Sequence, residues 1–139
     1  MHSVIRELHA EMPEEFALTH FWHQQSDHEI EYLHFHNYLE RIAPSLKYMN
    51  EHFSEEIRVA DLARACHVSV NHYRRLFRSA TGQLPMEYLT RLRLQMAVAL
   101  LQSTDRTILD IAMDVGFRSL STFNRQFRRV FNATPRSLR

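Results

Sequence analysis

The chain has 139 residues, of which 45% are hydrophobic and 24% charged, the balance of about one ordinary globular domain. Two glycines and four prolines are too few for an all-β fold, the single Cys66 excludes a disulfide framework or a cysteine-based zinc site, and no apolar run is long enough to span a membrane. The net charge of +1 hides an asymmetry: residues 1–57 hold 11 acids and three bases, whereas residues 58–139 hold five acids and 14 bases, all arginine.

Residues 1–37 are acidic and rich in histidine. Arg6, Glu7 and Glu11 interrupt Met1–Met12, so no secretory signal is expected and a reduced, cytoplasmic setting is. His20 and His23, or His34 and His36, near Asp27, Glu29 and Glu31, could ligate a transition metal, but no pattern completes a ligand set. No metal and no cofactor is therefore expected. Phe16, Phe21, Trp22, Ile30, Tyr32, Leu33 and Phe35 are too apolar for a disordered tail. They predict a helical segment that wants a partner surface, as a homodimer through residues 1–37 or against the rest of the chain. Its acids could also cover an arginine face of the second part of the chain.

An internal repeat follows. Val59-Ala60-Asp61-Leu62-Ala63 and Val68 match Ile108-Leu109-Asp110-Ile111-Ala112 and Phe117 at an offset of 49. One inserted residue shifts the offset to 50, and Ser69, Tyr73, Arg75, Phe77, Arg78 and Pro85 match Ser119, Phe123, Arg125, Phe127, Arg128 and Pro135. A period of this length means two copies of one supersecondary unit.

Each copy reads as helix, tight turn, helix, at about 58–82 and about 107–131. In the first, Ser69 caps a helix whose inner stripe is Tyr73, Leu76, Phe77 and Ala80, at i, i+3, i+4 and i+7. Its outer stripe is Asn71, Arg74, Arg75 and Arg78, and Gly82 ends it. Between the copies, Tyr88, Leu89, Leu92, Met96, Ala99 and Leu100 predict the buried stripe of a long helix at about 85–102. In the second copy Thr107 caps, Gly116 sits where His67 does in the first, and Ser119 caps the last helix. Phe123, Phe127, Val130 and Phe131 face inward; Ser121, Asn124, Arg125 and Arg128 face outward. Ala63 and Ala112 lie four positions before the turn residue, where a larger side chain would force the helices apart. Small residue, turn residue and polar second helix are the requirements of a helix-turn-helix.

These linked motifs resemble the AraC/XylS family of bacterial transcription regulators. The resemblance covers about Ile42 to Arg139 and is carried by Asp61-Leu62-Ala63, Ser69 with Tyr73 to Arg78, Gly82 with Pro85 to Leu89, Arg91 to Leu94, and above all Ile108 to Phe131, closed by Thr134-Pro135 and Arg139. Three positions depart from the family pattern: Asn132 for a glycine, Leu138 for a tyrosine, and Leu120 for a polar residue.

The resemblance implies an all-α fold of two helix-turn-helix subdomains joined by a long central helix and preceded by an N-terminal helical segment. It divides the chain into residues 1–37 and a DNA-binding domain over 38–139. It implies a regulator that places two recognition helices in successive major grooves of an asymmetric double-stranded site of about two turns, with RNA polymerase as a further partner. Base contacts are then expected from Asn71, Arg74, Arg75, Leu120, Ser121, Asn124 and Arg125, and phosphate contacts from Ser69, Arg78, Ser119, Arg128 and Arg129. Arginine suits guanine edges and phosphates, and asparagine suits adenine.

Two alternatives stay open at this point: a protein-interaction module on a degenerate helix-turn-helix scaffold, and the C-terminal piece of a larger effector-responsive regulator. An enzyme is not expected, since the chain has no Gly-rich phosphate loop, nucleophile elbow or HExxH.

Overall fold

The computed structural model describes the backbone of residues 25–139 and the side chains of residues 33, 34 and 36–139. All regular structure among these residues is helical. In chain order the elements are α1 (Gln25–His52), α2 (Val59–Ala65), α3 (Val70–Thr81), α4 (Pro85–Ser103), α5 (Ile108–Asp114), α6 (Leu120–Phe131) and a 3-10 turn at Arg136–Leu138. They fall into two compact units. Of the described residues, the first unit holds 25–47 and 60–84 and the second holds 48–59 and 85–139. The expectations for His20, His23, Phe16, Phe21 and Trp22 lie outside the described residues. The backbone of α1 runs unbroken through positions 37 and 38.

The first unit buries Leu39, Ile42 and Leu46 of α1 together with Leu62, Ala63, Tyr73, Leu76, Phe77 and Ala80. Those four residues of α3 are the stripe expected from the spacing. Ser45 is fully buried, and its hydroxyl is satisfied twice: it donates to the Ile42 carbonyl at 2.7 Å and accepts from the Tyr73 hydroxyl at 2.8 Å. That second bond ties α1 to α3 inside the core.

The turn between α2 and α3 follows from three residues. His67 takes the left-handed conformation (φ +58°). Its N–H bonds the Arg64 carbonyl, and the Val68 N–H reaches back to the Ala63 carbonyl. This is a Schellman turn, which satisfies the last carbonyls of the helix. The second unit repeats it: Gly116 is left-handed (φ +108°) and bonds Met113, and Phe117 bonds Ala112. Ala63 and Ala112 are both buried at the back of these turns.

The second unit is built on Leu94, Ala97, Leu101, Ile111, Ala112, Val115, Phe117, Phe123 and Phe127. A ladder of rings runs along α6, with centroids 5.2 Å (Phe117–Phe123), 5.5 Å (Phe123–Phe127) and 4.8 Å (Phe127–Phe131) apart. Leu138 packs against this cluster. Arg139 closes the unit, donating to the carbonyls of Leu101, Thr104 and Arg106 past the end of α4.

The expected buried stripe of α4 is corrected. Its fully buried face is Pro85, Leu89, Leu94, Ala97 and Leu101, while Met96 and Ala99 are exposed. Tyr88, Leu92 and Leu100 are half-buried. The helix carries apolar residues on most of its circumference, so more than one stripe satisfies the helical period. Packing chose the stripe opposite Arg91, Gln95 and Gln102.

Candidate nucleic-acid interface

Each unit ends its helix-turn-helix in a helix with one buried and one arginine-rich face. In α3, Ser69 is the N-cap, and its hydroxyl accepts from the His72 N–H at 3.2 Å. The first turn carries no acid, so nothing offsets the positive end of the helix dipole. With Tyr73, Leu76, Phe77 and Ala80 inside, Asn71, Arg74, Arg75 and Arg78 are all exposed. Gly82, left-handed at φ +74°, closes the helix with its N–H on the Arg78 carbonyl.

α6 repeats the construction. Ser119 caps it, accepting from the Thr122 N–H at 3.2 Å and donating to the Thr122 hydroxyl at 2.9 Å. Its first turn is also free of acids. Phe123 and Phe127 are buried, and Ser121, Asn124, Arg125, Arg128 and Arg129 are exposed. Leu120 is 36% exposed at the head of the helix. Asn132 is left-handed at φ +51° and bonds the Arg128 carbonyl, reproducing Gly82. Two basic faces on short helices, each behind a tight turn and backed by aromatic rings, are suited to a major groove.

Comparison with known proteins agrees with this geometry. A family model described as a helix-turn-helix domain matches residues 62–139. The regulatory protein SoxS of Salmonella typhimurium is 37% identical over 94 residues, covering 68% of this chain and 88% of SoxS. The crystal structure of an AraC-type regulator from Chromobacterium violaceum superposes with a TM-score of 0.69 at 33% identity, covering 72% of this chain and 89% of that one. The DNA-binding domain of AdpA, solved in complex with a target DNA, superposes with a TM-score of 0.66 at 31% identity, covering 69% of this chain and 86% of that one.

The chain belongs to the AraC/XylS family.

It is a DNA-binding transcription regulator and not an enzyme. Within this family member the arginines sort by what holds them. Arg58 and Arg118 lie 3.9 and 3.0 Å from Glu56, Arg64 lies 3.4 Å from Asp61, and Arg106 pairs with Asp114. The Asp114 carboxylate raises the pKa of Arg106 further. Arg93 is half-buried and donates to the carbonyls of Phe53 and Glu55 at 2.7 and 2.8 Å. Burial lowers its pKa, but an arginine stays charged. Setting aside Arg93 and Arg139, which are bound to backbone carbonyls, the arginines with no carboxylate within 4.0 Å among the described residues are Arg41, Arg74, Arg75, Arg78, Arg91, Arg125, Arg128, Arg129 and Arg136. Six of these nine stand on α3 and α6. The arginines without a counter-charge are therefore concentrated on the two helices expected to meet DNA.

Of the residues expected to hold phosphates, Ser69 is exposed and Ser119 half-buried, and both hydroxyls already cap their helices. Accepting the cap bond leaves the Ser69 O–H free to donate to a phosphate, whereas the Ser119 O–H is given to Thr122, so Ser119 would act through the helix end it shapes. Ser121 lies 3.4 Å from the Ser119 hydroxyl.

Two residues of interest escaped the sequence reading. Arg118 is the residue inserted between the copies, placed just before the Ser119 cap and 80% exposed. That insertion was a visible signal. Arg41 lies outside the repeat, on α1, and its guanidinium donates to Nε2 of His72 at 2.9 Å. No spacing in the sequence announces that pair. In the N-terminal segment, His36 pairs with Glu40 at 3.0 Å and the ring of His34 lies beside that of Tyr38. Among the described residues no group of three metal-ligating side chains is present, and no helix is long and apolar enough to cross a membrane.

Proposed function

We propose that the chain reads an asymmetric site on double-stranded DNA, with α3 and α6 each presented to the major groove. Asn71, Arg74 and Arg75 read bases from the first unit; Ser121, Asn124 and Arg125 read them from the second, with Leu120 against a thymine methyl. Arg78, Arg128 and Arg129, with the helix ends capped by Ser69 and Ser119, hold phosphates. The observation that carries this reading is the distribution of the arginines: those without a carboxylate partner cluster on the exposed faces of α3 and α6. A degenerate interaction module would have lost them. The DNA complex of AdpA supports the same mode of use.

The DNA-binding part is taken as residues 38–139, acting on transcription through contact with RNA polymerase. Residues 1–37 serve dimerisation or self-competition for the arginine faces. Replacing Glu7, Glu11, Glu14 and Glu15 with glutamine separates these, since only competition predicts tighter DNA binding without a change in sedimentation.

Selection of bound duplexes from a random library, near physiological salt, tests the main reading. The expected result is an asymmetric motif of two informative blocks about one helical turn apart. A palindrome would assign recognition to a symmetric dimer instead, and no enrichment at all would remove the reading.

A further inference from the structure

We propose that Arg41 of α1, aimed by His72, is an additional phosphate contact that belongs to no part of the repeat. The proposal rests on the DNA-binding reading above and extends its surface beyond the two helix-turn-helix copies.

Position comes first. α1 is fixed against α3 at two adjacent points. The Tyr73 hydroxyl bonds Ser45 in the core at 2.8 Å, and one turn earlier on α1 the Arg41 guanidinium bonds His72 at 2.9 Å. Ile42 and Leu46, between and beyond these points, are fully buried. Arg41 is therefore not a loose surface side chain. It is held at the edge of α3 where Asn71 and Arg75, the neighbours of His72 in sequence and one turn on, are exposed.

The choice of partner comes second. The arginines paired to carboxylates elsewhere in the chain (Arg64 to Asp61, Arg106 to Asp114) have their charge offset. Arg41 has no carboxylate within 4.0 Å among the described residues. A neutral imidazole nitrogen takes a single N–H and fixes the direction of the planar fork. It leaves the full positive charge and the remaining N–H donors of the guanidinium uncommitted. A carboxylate at position 72 would have oriented Arg41 equally well and cancelled its charge. A guanidinium that is oriented, exposed and not neutralised has the properties of a backbone clamp. The occupant is a phosphate of the duplex rather than a base edge, because Arg41 comes from a helix outside the one presented to the groove.

The test uses the full chain, a duplex recovered by the selection above, and a random duplex of equal length. Arg41→Ala is expected to weaken binding to both by the same factor, several-fold near physiological salt, and to reduce the slope of log affinity against log salt by about 0.9. Arg41→Lys keeps the charge and is expected to keep the slope. His72→Phe removes the acceptor but not the charge, so affinity falls while the slope stays. Unchanged affinity and slope in Arg41→Ala would overturn the proposal and leave the DNA reading intact. A loss confined to the selected duplex would overturn it too, making Arg41 a base reader. Should Arg41→Ala melt at lower temperature, Arg41→Lys decides: loss of the slope there would show that packing, not charge, was responsible. If the wild-type chain binds neither duplex, the DNA reading itself fails and this proposal with it.

Discussion

Arg93 occupies the space that a side chain at position 116 would need. A Cβ built on Gly116 lies 2.8 Å from Arg93 Nε and 3.0 Å from the Phe53 carbonyl oxygen, the two atoms that hydrogen-bond each other. The left-handed turn before α6 and the anchoring of residues 53–55 to α4 are thus one arrangement. Gly116→Ala has to strain its backbone at φ +108° and also push Arg93 off Phe53. The strain alone costs on the order of 1–3 kcal/mol. The melting temperature should drop by several degrees or more, and the drop should shrink when Arg93→Ala is already present. A drop of equal size in both backgrounds would show the two residues to be independent.

Gly82 makes the contrasting case. It is also left-handed, at φ +74°, but nothing lies within 4 Å of its Cβ position. The repeat places Asn132 at the equivalent end of α6 in the same conformation. Asparagine tolerates that region better than most residues. Gly82→Asn is therefore expected to leave thermal stability within about 0.5 kcal/mol of wild type, a typical surface value, while Gly82→Val costs clearly more. Equal melting curves for the two variants would contradict this account of the helix end.

The burial of Tyr73 gives the first unit a pH dependence at the alkaline end. Burial pushes the Tyr73 hydroxyl well above the ordinary tyrosine value of about 10, with the Ser45 bond acting the other way. The folded state holds this proton more tightly than the unfolded state. The resulting stability is complete below pH ~10 and is lost as the pH rises above it. Tyr73→Phe should remove this alkaline loss and, at neutral pH, cost about 0.5–1.5 kcal/mol for the missing hydrogen bond. Denaturant midpoints at pH 7 and above pH 10 measure both. A variant that weakens with alkali as steeply as wild type would place the titrating group elsewhere.

Both helix pairs were legible in the sequence because each was written twice. Ser69 and Ser119 as caps, His67 and Gly116 as turn residues, and the aromatic stripes of α3 and α6 follow from short-range spacing that the two copies check against each other. α4 has no copy to check against, and its apolar residues lie on most sides, so its buried stripe was misplaced toward Met96 and Ala99. The pairs that join distant residues left no trace in spacing. Arg41 and His72 are 31 positions apart, and Arg93 donates 40 positions back to Phe53. Such contacts depend on how helices pack, which local periodicity does not contain.

Glu56 holds Arg118 at 3.0 Å just before the Ser119 cap of α6, and the same carboxylate lies 3.9 Å from Arg58. All three side chains are well exposed, so the pairs themselves stabilise the fold little. On DNA the carboxylate is a like charge to the phosphates and competes with them for Arg118. Glu56→Gln should therefore leave the melting temperature unchanged and tighten binding to selected and random duplexes alike, more at low salt than at high salt. Weaker binding in Glu56→Gln would mean that Glu56 positions Arg118 for DNA rather than withholding it.

Arg75 and Arg128 separate reading from holding. Both are exposed, and neither has a carboxylate partner among the described residues. Arg75 stands on the outer stripe of α3 a turn beyond Asn71, and Arg128 stands in the last turn of α6; the proposed reading makes the first a base reader and the second a phosphate contact. Arginine bidentate to guanine discriminates against a wrong base by about 1–3 kcal/mol. Arg75→Ala should thus cost about that much on the selected duplex, far less on random duplex, and relax one position when the selection is repeated. Arg128→Ala should weaken both duplexes by one factor and lower the salt slope without changing the selected motif. Equal losses on both duplexes for Arg75→Ala would move it from the readers to the phosphate contacts, and a changed motif for Arg128→Ala would move that residue the other way.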